Sequence, residues 1–230
     1  MTRKNLLILL TGFGFGILWA AEAFPDIDSV SANLFALLAD HPLKVAYPGY
    51  PLMTFRAFQP FIILNVVCGH MLSDDYERTM LYDCLRRKSI LRWNLKSVGS
   101  IAAICFAFLL SLCLGSVLSF VFIFRSSLNC APCLPFLSAF LHLFCYIFNS
   151  LLCVNLLSVL FGNITAELIS VSVKLVFILL IPVPALSFVN PIVRTAPNHP
   201  LSSLIYWVIL TSVIFSVQLL VHSLRDKLLP

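Results

Sequence analysis

The sequence predicts an all-α polytopic membrane protein with six transmembrane helices and one amphipathic cytoplasmic helix between the second and third spans. Hydrophobic residues form 60% of the 230 residues and charged residues only 11%, whereas a soluble domain carries roughly 25% charged residues. A soluble fold of this length could not bury so much apolar surface, so lipid must solvate much of it. The apolar runs are continuous rather than alternating, which excludes a transmembrane β-barrel.

Six apolar segments are long enough to cross roughly 30 Å of hydrocarbon, where a helix satisfies its own backbone hydrogen bonds. We expect spans at about residues 5–23, 52–72, 98–124, 134–161, 166–189 and 201–222. The first segment could instead be a cleavable signal peptide, since "AEA" at 21–23 resembles a cleavage site, but we favour a span. Residues 1–230 then form a single transmembrane domain.

The distribution of lysine and arginine predicts the orientation, because these residues are enriched in cytoplasmic loops. With the N-terminus inside, ten of them lie on the cytoplasmic side: Arg3, Lys4, Arg78, Arg86, Arg87, Lys88, Arg92, Lys96, Arg225 and Lys227. Only Lys44, Arg125 and Arg194 lie outside. We therefore expect a multi-pass protein of the cell membrane with both termini in the cytoplasm, and no nucleic-acid partner despite the net charge of +5.

The stretch 74–97, DDYERTMLYDCLRRKSILRWNLKS, holds ten of the 25 charged side chains of the chain. Apolar residues recur on one face of it at helical spacing, and they are Tyr76, Met80, Leu81, Cys84 and Leu85. The acids come early and the bases late, which suits the helix dipole. We expect a surface helix at about 74–88, which could hold anionic lipid head groups or dock a soluble partner.

This helix and its position resemble the type-2 ABC transporter permeases, the membrane subunits of many bacterial ABC exporters. In that family a short second span leads into a cytoplasmic coupling helix with a loose pattern: Glu, Gly-Thr, two leucine-like residues, Pro, Ser-Arg and a later Lys. The matching residues here are, in order, Glu77, Thr79, Leu81, Leu85, Ser89 and Lys96. The chain has Arg78 in place of the glycine, Ile90 after the serine, and no proline.

The remaining layout is also similar to that family. A proline-rich outer stretch at 182–200 precedes the last span, and the chain ends in a basic tail. The resemblance implies the permease subunit of an ATP-driven exporter, paired with a second copy or a related permease and resting on two cytoplasmic ABC ATPase subunits. The substrate would be amphipathic or apolar, such as a peptide, a lipid-like molecule or a drug, because the spans contain few polar groups.

The resemblance also assigns roles. Motion of the ATPase subunits would reach this chain through Glu77, Arg78, Thr79, Met80, Leu81, Leu85, Arg86, Arg87 and Ser89. The chain contains no G-x-x-x-x-G-K-[ST] pattern, so ATP and Mg²⁺ would bind the partner ATPase. We expect this chain to be a transport subunit rather than an enzyme, with no cofactor of its own.

Four polar residues inside the predicted spans are candidates for a translocation path, because ionisable groups in lipid are costly and usually functional. They are Arg56, Gln59, Glu167 and Lys174. Arg56 could snorkel to the outer interface, and Glu167 could be a helix-start acid. Lys174 lies deeper in its predicted span than Glu167, so its charge is the most costly of the four to place in lipid.

Two further patterns have alternative interpretations. Cys130 and Cys133 form a C-x-x-C on the predicted outer side, for which we expect a local disulfide or free thiols. Two cysteines alone do not make a structural zinc site, and we expect no metal. Gly12 and Gly16 form a G-x-x-x-G in the first span, which is either a close-packing face or ordinary glycine in a membrane helix.

Two other functions remain open. A substrate-capture subunit of a vitamin importer is also a small six-span protein, but it would show ligand-making polar residues in its outer loops and no prominent charged helix after the second span. A membrane-embedded redox enzyme would need a second cysteine pair facing the same side as the first.

Overall fold

A computed structural model of the chain describes residues 3–22, 30, 51–69, 90–123, 125, 133–180, 191 and 200–228. All regular secondary structure in these residues is helical, which confirms the all-α class. Six helices have described bounds: α1 (Arg3–Glu22), α2 (Pro51–Cys68), α3 (Ile90–Phe122), α4 (Cys133–Phe161), α5 (Asn163–Leu179) and α6 (Pro200–Leu228). Each of them lies at one of the six predicted spans.

Three of the described helices are long and apolar enough to cross a membrane. Their apolar segments are Leu91–Phe122 in α3, Phe136–Phe161 in α4 and Leu201–Val221 in α6. α1 and α2 contain the shorter apolar segments Leu6–Ala21 and Gln59–Cys68. The prediction of six spans therefore goes beyond what helix length and composition establish, as does the orientation. The predicted coupling helix at 74–88 lies outside the described residues.

The helix ends differ most from the predicted span ends at α3 and α5. α3 begins at Ile90 rather than near 98, because Arg92 and Lys96 mark where a span leaves the hydrocarbon but do not break a helix. α5 ends at Leu179 rather than near 189. Pro182 follows shortly in the sequence, and a proline ring clashes with the carbonyl four residues earlier, so the helix cannot continue unbroken.

α1 and α3 approach each other closely because glycines lie on both sides of their contact. A methyl group at Gly16 would overlap the carbonyl oxygen of Leu112, and one at Gly115 would overlap that of Phe13. The hydroxyl of Ser116 donates a hydrogen bond to the carbonyl oxygen of Gly16 at 3.0 Å. Of the two interpretations of the G-x-x-x-G pattern, the structure therefore shows the close-packing face.

Helix directions follow from pairs of contacts spaced by about one turn. Gly12 lies against Ser111, and Gly16 lies against Ser116, so α1 and α3 run parallel. α2 and α4 also run parallel. Phe61 packs against Tyr146, with ring centroids 6.0 Å apart, and one turn later Asn65 bonds to Ser150 at 2.8 Å.

α6 also runs parallel to α4, because Tyr146 contacts Trp207 and Asn149 contacts Thr211. α5 reverses direction relative to α4, because Cys153 of α4 and Lys174 of α5 line the same cavity although Gly162 alone separates the two helices. This glycine has φ +82°, a conformation that residues with a Cβ adopt only at a cost. The chain therefore turns back on itself sharply between α4 and α5.

A row of aromatic rings crosses the bundle at one level. Trp19 of α1 meets Phe61 of α2 edge to face at 5.5 Å, and Phe61 in turn meets Tyr146 of α4. Tyr146 contacts Trp207 of α6 at 6.3 Å. All four side chains are buried, so α1, α2, α4 and α6 share one core.

Candidate functional site

A cavity of about 260 Å³ lies between α4, α5 and α6. Its walls are mainly aromatic and aliphatic, with a few polar groups, which is typical of a small-molecule site. The described residues that line it are Tyr146, Asn149, Ser150, Cys153, Leu157, Ser170, Val173, Lys174, Phe177, Pro191, Tyr206, Trp207 and Leu210.

Lys174 is the charged residue of this lining. Its side chain is only 7% exposed, and Nζ has no hydrogen-bond partner among the described residues. Lys174 lies eleven residues after Asn163, the first residue of α5, which places it about 16 Å along the helix axis. In a span that begins near Asn163, this depth is close to the bilayer centre, where an unpaired charge is costly and usually functional.

The wall formed by α4 and α6 is organised by hydrogen bonds. Asn149 donates from Nδ2 to the carbonyl oxygen of Cys145 at 2.9 Å, and its Oδ1 lies 3.0 Å from the hydroxyl of Thr211. These bonds hold the Asn149 amide in one orientation. The indole Nε1 of Trp207, beside this pair, has no acceptor among the described residues.

The wall also connects to α2. Asn65 donates from Nδ2 to the hydroxyl oxygen of Ser150 at 2.8 Å, so Ser150 can donate its own proton to another group. Asn65 is 3% exposed, and a buried amide needs such a partner. The contact therefore joins α2 to the lining of the cavity.

We compared the chain with protein-family models, curated proteins and solved structures. None of them matches it. The resemblance to type-2 ABC transporter permeases therefore stays a prediction from the sequence pattern, and the site must be argued from its own residues.

Of the four predicted path residues, the structure places Lys174 in the lining of the cavity. Glu167 lies on α5 two turns earlier, is partly exposed and does not line the cavity. Gln59 is exposed on α2. Arg56 belongs to the same helix, but its side chain lies outside the described part. The described residues thus do not bring the four together.

The other predicted sites fall largely beyond the described residues. The docking residues from Glu77 to Ser89 lie outside them, as does Cys130. Cys133 begins α4, with its side chain outside the description, so a disulfide between Cys130 and Cys133 stays a prediction. Among the described residues, no group of three or more His, Cys, Asp or Glu side chains could hold a metal ion.

Sequence reasoning missed the uncharged polar members of the site. These residues lie inside apolar segments of the sequence. In the structure they form two hydrogen-bonded pairs, Asn65 with Ser150 and Asn149 with Thr211. An asparagine inside an apolar run is the signal that could have found them, because a carboxamide in a membrane span needs a hydrogen-bond partner.

Proposed function

We propose that the chain is the permease subunit of an ATP-driven exporter, a six-span protein of the cell membrane with both termini in the cytoplasm. The observation that carries a transport function is a mainly apolar cavity inside a helical bundle, with the buried Lys174 in its lining. Such an intramembrane charge marks a substrate or ion pathway by default.

The helix directions support six crossings. If all six helices cross the membrane in alternating directions, α1 must be parallel to α3, and α2 must be parallel to α4 and α6. α5 must then be antiparallel to α4. The helix directions in the structure agree with each of these requirements. α1, α2 and α5 have 20, 18 and 17 residues, but the apolar segments of α1 and α2 are shorter than a usual span, so for these three helices the proposal depends on the helix directions.

The connection from ATP to the cavity would pass through the helix at 74–88. That helix lies between α2 and α3 in the sequence, so a push on it by an ATPase subunit moves both. α2 carries Asn65, which bonds to Ser150 in the cavity wall. α3 is fixed to α1 by the close contact at Gly16, so α1 and α3 would move as one unit against the helices around the cavity.

Co-purification in mild detergent tests this proposal. The wild-type protein should retain an ABC ATPase, identified by mass spectrometry through its P-loop sequence. Charge reversal at Glu77→Lys together with Arg86→Glu should release it. Lys44→Glu, on the predicted outer side, is the matched control and should retain it. The proposal fails if no ATPase co-purifies, or if the double reversal leaves the same partners bound.

One observation favours the substrate-capture subunit of a vitamin importer as a second candidate. The described cavity is walled by three helices of a single chain, so the chain could hold a solute without a second permease. Mass spectrometry of small molecules that co-purify with the protein separates the two functions. A retained vitamin supports the capture subunit, whereas a retained amphipathic molecule supports the exporter.

A further inference from the structure

We propose that the cavity binds an amphipathic monoanion, with a compact head carrying one negative charge against Lys174 and an apolar chain along the aromatic wall. This inference rests on the proposed function as a membrane transport subunit and names the substrate class of its cavity. It narrows the substrates expected from the sequence, which included peptides and drugs without regard to charge.

The sign and size of the ligand charge follow from the lining. The described residues around the cavity include Lys174 but no Asp, Glu or His. Its ammonium therefore has no carboxylate beside it in this lining, and its Nζ has no acceptor among the described residues. One buried positive charge is offset by one negative charge, and a charge-assisted hydrogen bond to that anion would satisfy the ammonium.

A second donor in the same lining suits the oxygens of an anionic head. The hydroxyl of Ser150 accepts from Asn65, which leaves its proton to donate. A carboxylate or phosphodiester has several lone pairs and can accept hydrogen bonds from more than one donor. An alcohol or amine head would accept fewer and weaker hydrogen bonds.

The size of the cavity limits the part of the ligand that it can hold. A cavity of about 260 Å³ has room for a head group with the first few carbons of a single chain. The cavity is not enclosed, so a longer chain must extend beyond it.

The part of the ligand's apolar chain that does not fit in the cavity can extend beyond it. Val173 lines it and is also 45% exposed on the surface of α5. Within the described residues, the cavity is open rather than enclosed, and Val173 belongs to an exposed apolar face of α5. In the membrane this face would meet lipid chains, so an acyl chain could extend there while its head stays at Lys174.

A binding measurement on the purified chain in nanodiscs of zwitterionic lipid tests the inference without any ATPase. The probes are dodecanoate, dodecanol and dodecyltrimethylammonium, which share the chain and differ in head charge. Dodecanoate should bind at least about tenfold more tightly than the other two, since a hydrogen bond to a charged group contributes on that scale. Equal binding of dodecanoate and dodecanol by the wild-type protein overturns the inference.

Variants then locate the site. Lys174→Met should abolish the preference for the anion, and Lys174→Arg should retain it. Val176→Met is the matched control, because it places methionine on the exposed face of the same helix, and it should bind like the wild type. An anion preference that survives in Lys174→Met contradicts the proposal.

Two sources of the anion can be separated by competition. If phosphatidylglycerol displaces dodecanoate from the wild type, and loses affinity in Lys174→Met, the head is a phosphodiester drawn from the bilayer. If it does not compete, the head is a carboxylate. The ATPase experiment is independent of both results, so its failure would remove the exporter function and leave the anion site standing.

Discussion

The hydroxyl of Ser116 on α3 donates a hydrogen bond to the carbonyl oxygen of Gly16 on α1, over a distance of 3.0 Å. A side chain can reach the backbone of a neighbouring helix in this way only when the two helices lie very close. The absence of a Cβ at Gly16 allows that approach, because a methyl group there would overlap the carbonyl oxygen of Leu112. The contact between α1 and α3 is therefore set by glycine.

Gly16→Ala should lower the free energy of unfolding by about 1–3 kcal/mol, the usual cost of overpacking. Gly14→Ala on the same helix is the matched control, because an added Cβ there meets nothing within 4 Å. It should be neutral or stabilising, since alanine favours helix by up to about 1 kcal/mol over glycine. Unfolding in detergent measures both variants, and equal effects would contradict glycine-mediated packing.

Lys174→Met should raise the stability of the ligand-free protein while it abolishes anion binding. The substitution replaces a buried ammonium that has no described acceptor with an apolar chain of similar length. Replacing buried ionic groups in this way stabilises proteins by roughly 1–4 kcal/mol. Thermal unfolding in detergent checks this, with Val176→Met expected to lie within about 0.5 kcal/mol of the wild type. A loss of stability in Lys174→Met would mean that the charge is already compensated.

Thr211→Val should destabilise the wall between α4 and α6. The threonine hydroxyl lies 3.0 Å from Oδ1 of the buried Asn149 and 2.8 Å from the carbonyl oxygen of Trp207 in its own helix. Valine keeps the shape while removing the donor from both. Hydrogen bonds between membrane helices contribute about 0.6 kcal/mol and at most about 1.7. Ser212→Ala is the control, because the exposed Ser212 hydroxyl donates to the carbonyl oxygen of Val208 in its own helix. A double-mutant cycle with Asn149→Ala should give a coupling energy of that size, and a value of zero would refute the contact.

Impermeant maleimide labelling tests the orientation of the chain. In a variant with all eight cysteines replaced, Asn163→Cys at the start of α5 should react only when the membrane is opened. Arg125→Cys, just after α3, should react in intact cells. Both positions are exposed in the structure. Labelling of the two cysteines from the same side of the membrane would rule out six alternating spans.

Helix positions could be predicted from the sequence because each apolar run satisfies its own backbone hydrogen bonds, which is a local property. Their ends were less certain, because hydropathy locates where a segment leaves lipid and not where its hydrogen bonding stops. α3 continues back to Ile90 past two basic residues, and α6 continues to Leu228 through the basic tail.

The candidate site could be predicted only in part. Lys174 was found because a charge in an apolar run is costly wherever it lies. Its meeting with Asn149 and Trp207 depends on which faces of three helices pack together, and no local pattern encodes that. The same applies to the glycine contact, since the partners of Gly16 lie about a hundred residues away in the sequence.

A photo-crosslink in living membranes, from the predicted helix at 74–88 to the proposed ATPase, tests the exporter function most directly. A photoreactive amino acid at Met80 should form an adduct with a chain that mass spectrometry identifies as a P-loop ATPase without spans of its own. The same group at Arg125, on the predicted outer side, should not form it. An ATPase adduct from Met80 alone is the result that the account predicts. No ATPase adduct from Met80, or equal adducts from both positions, would contradict it.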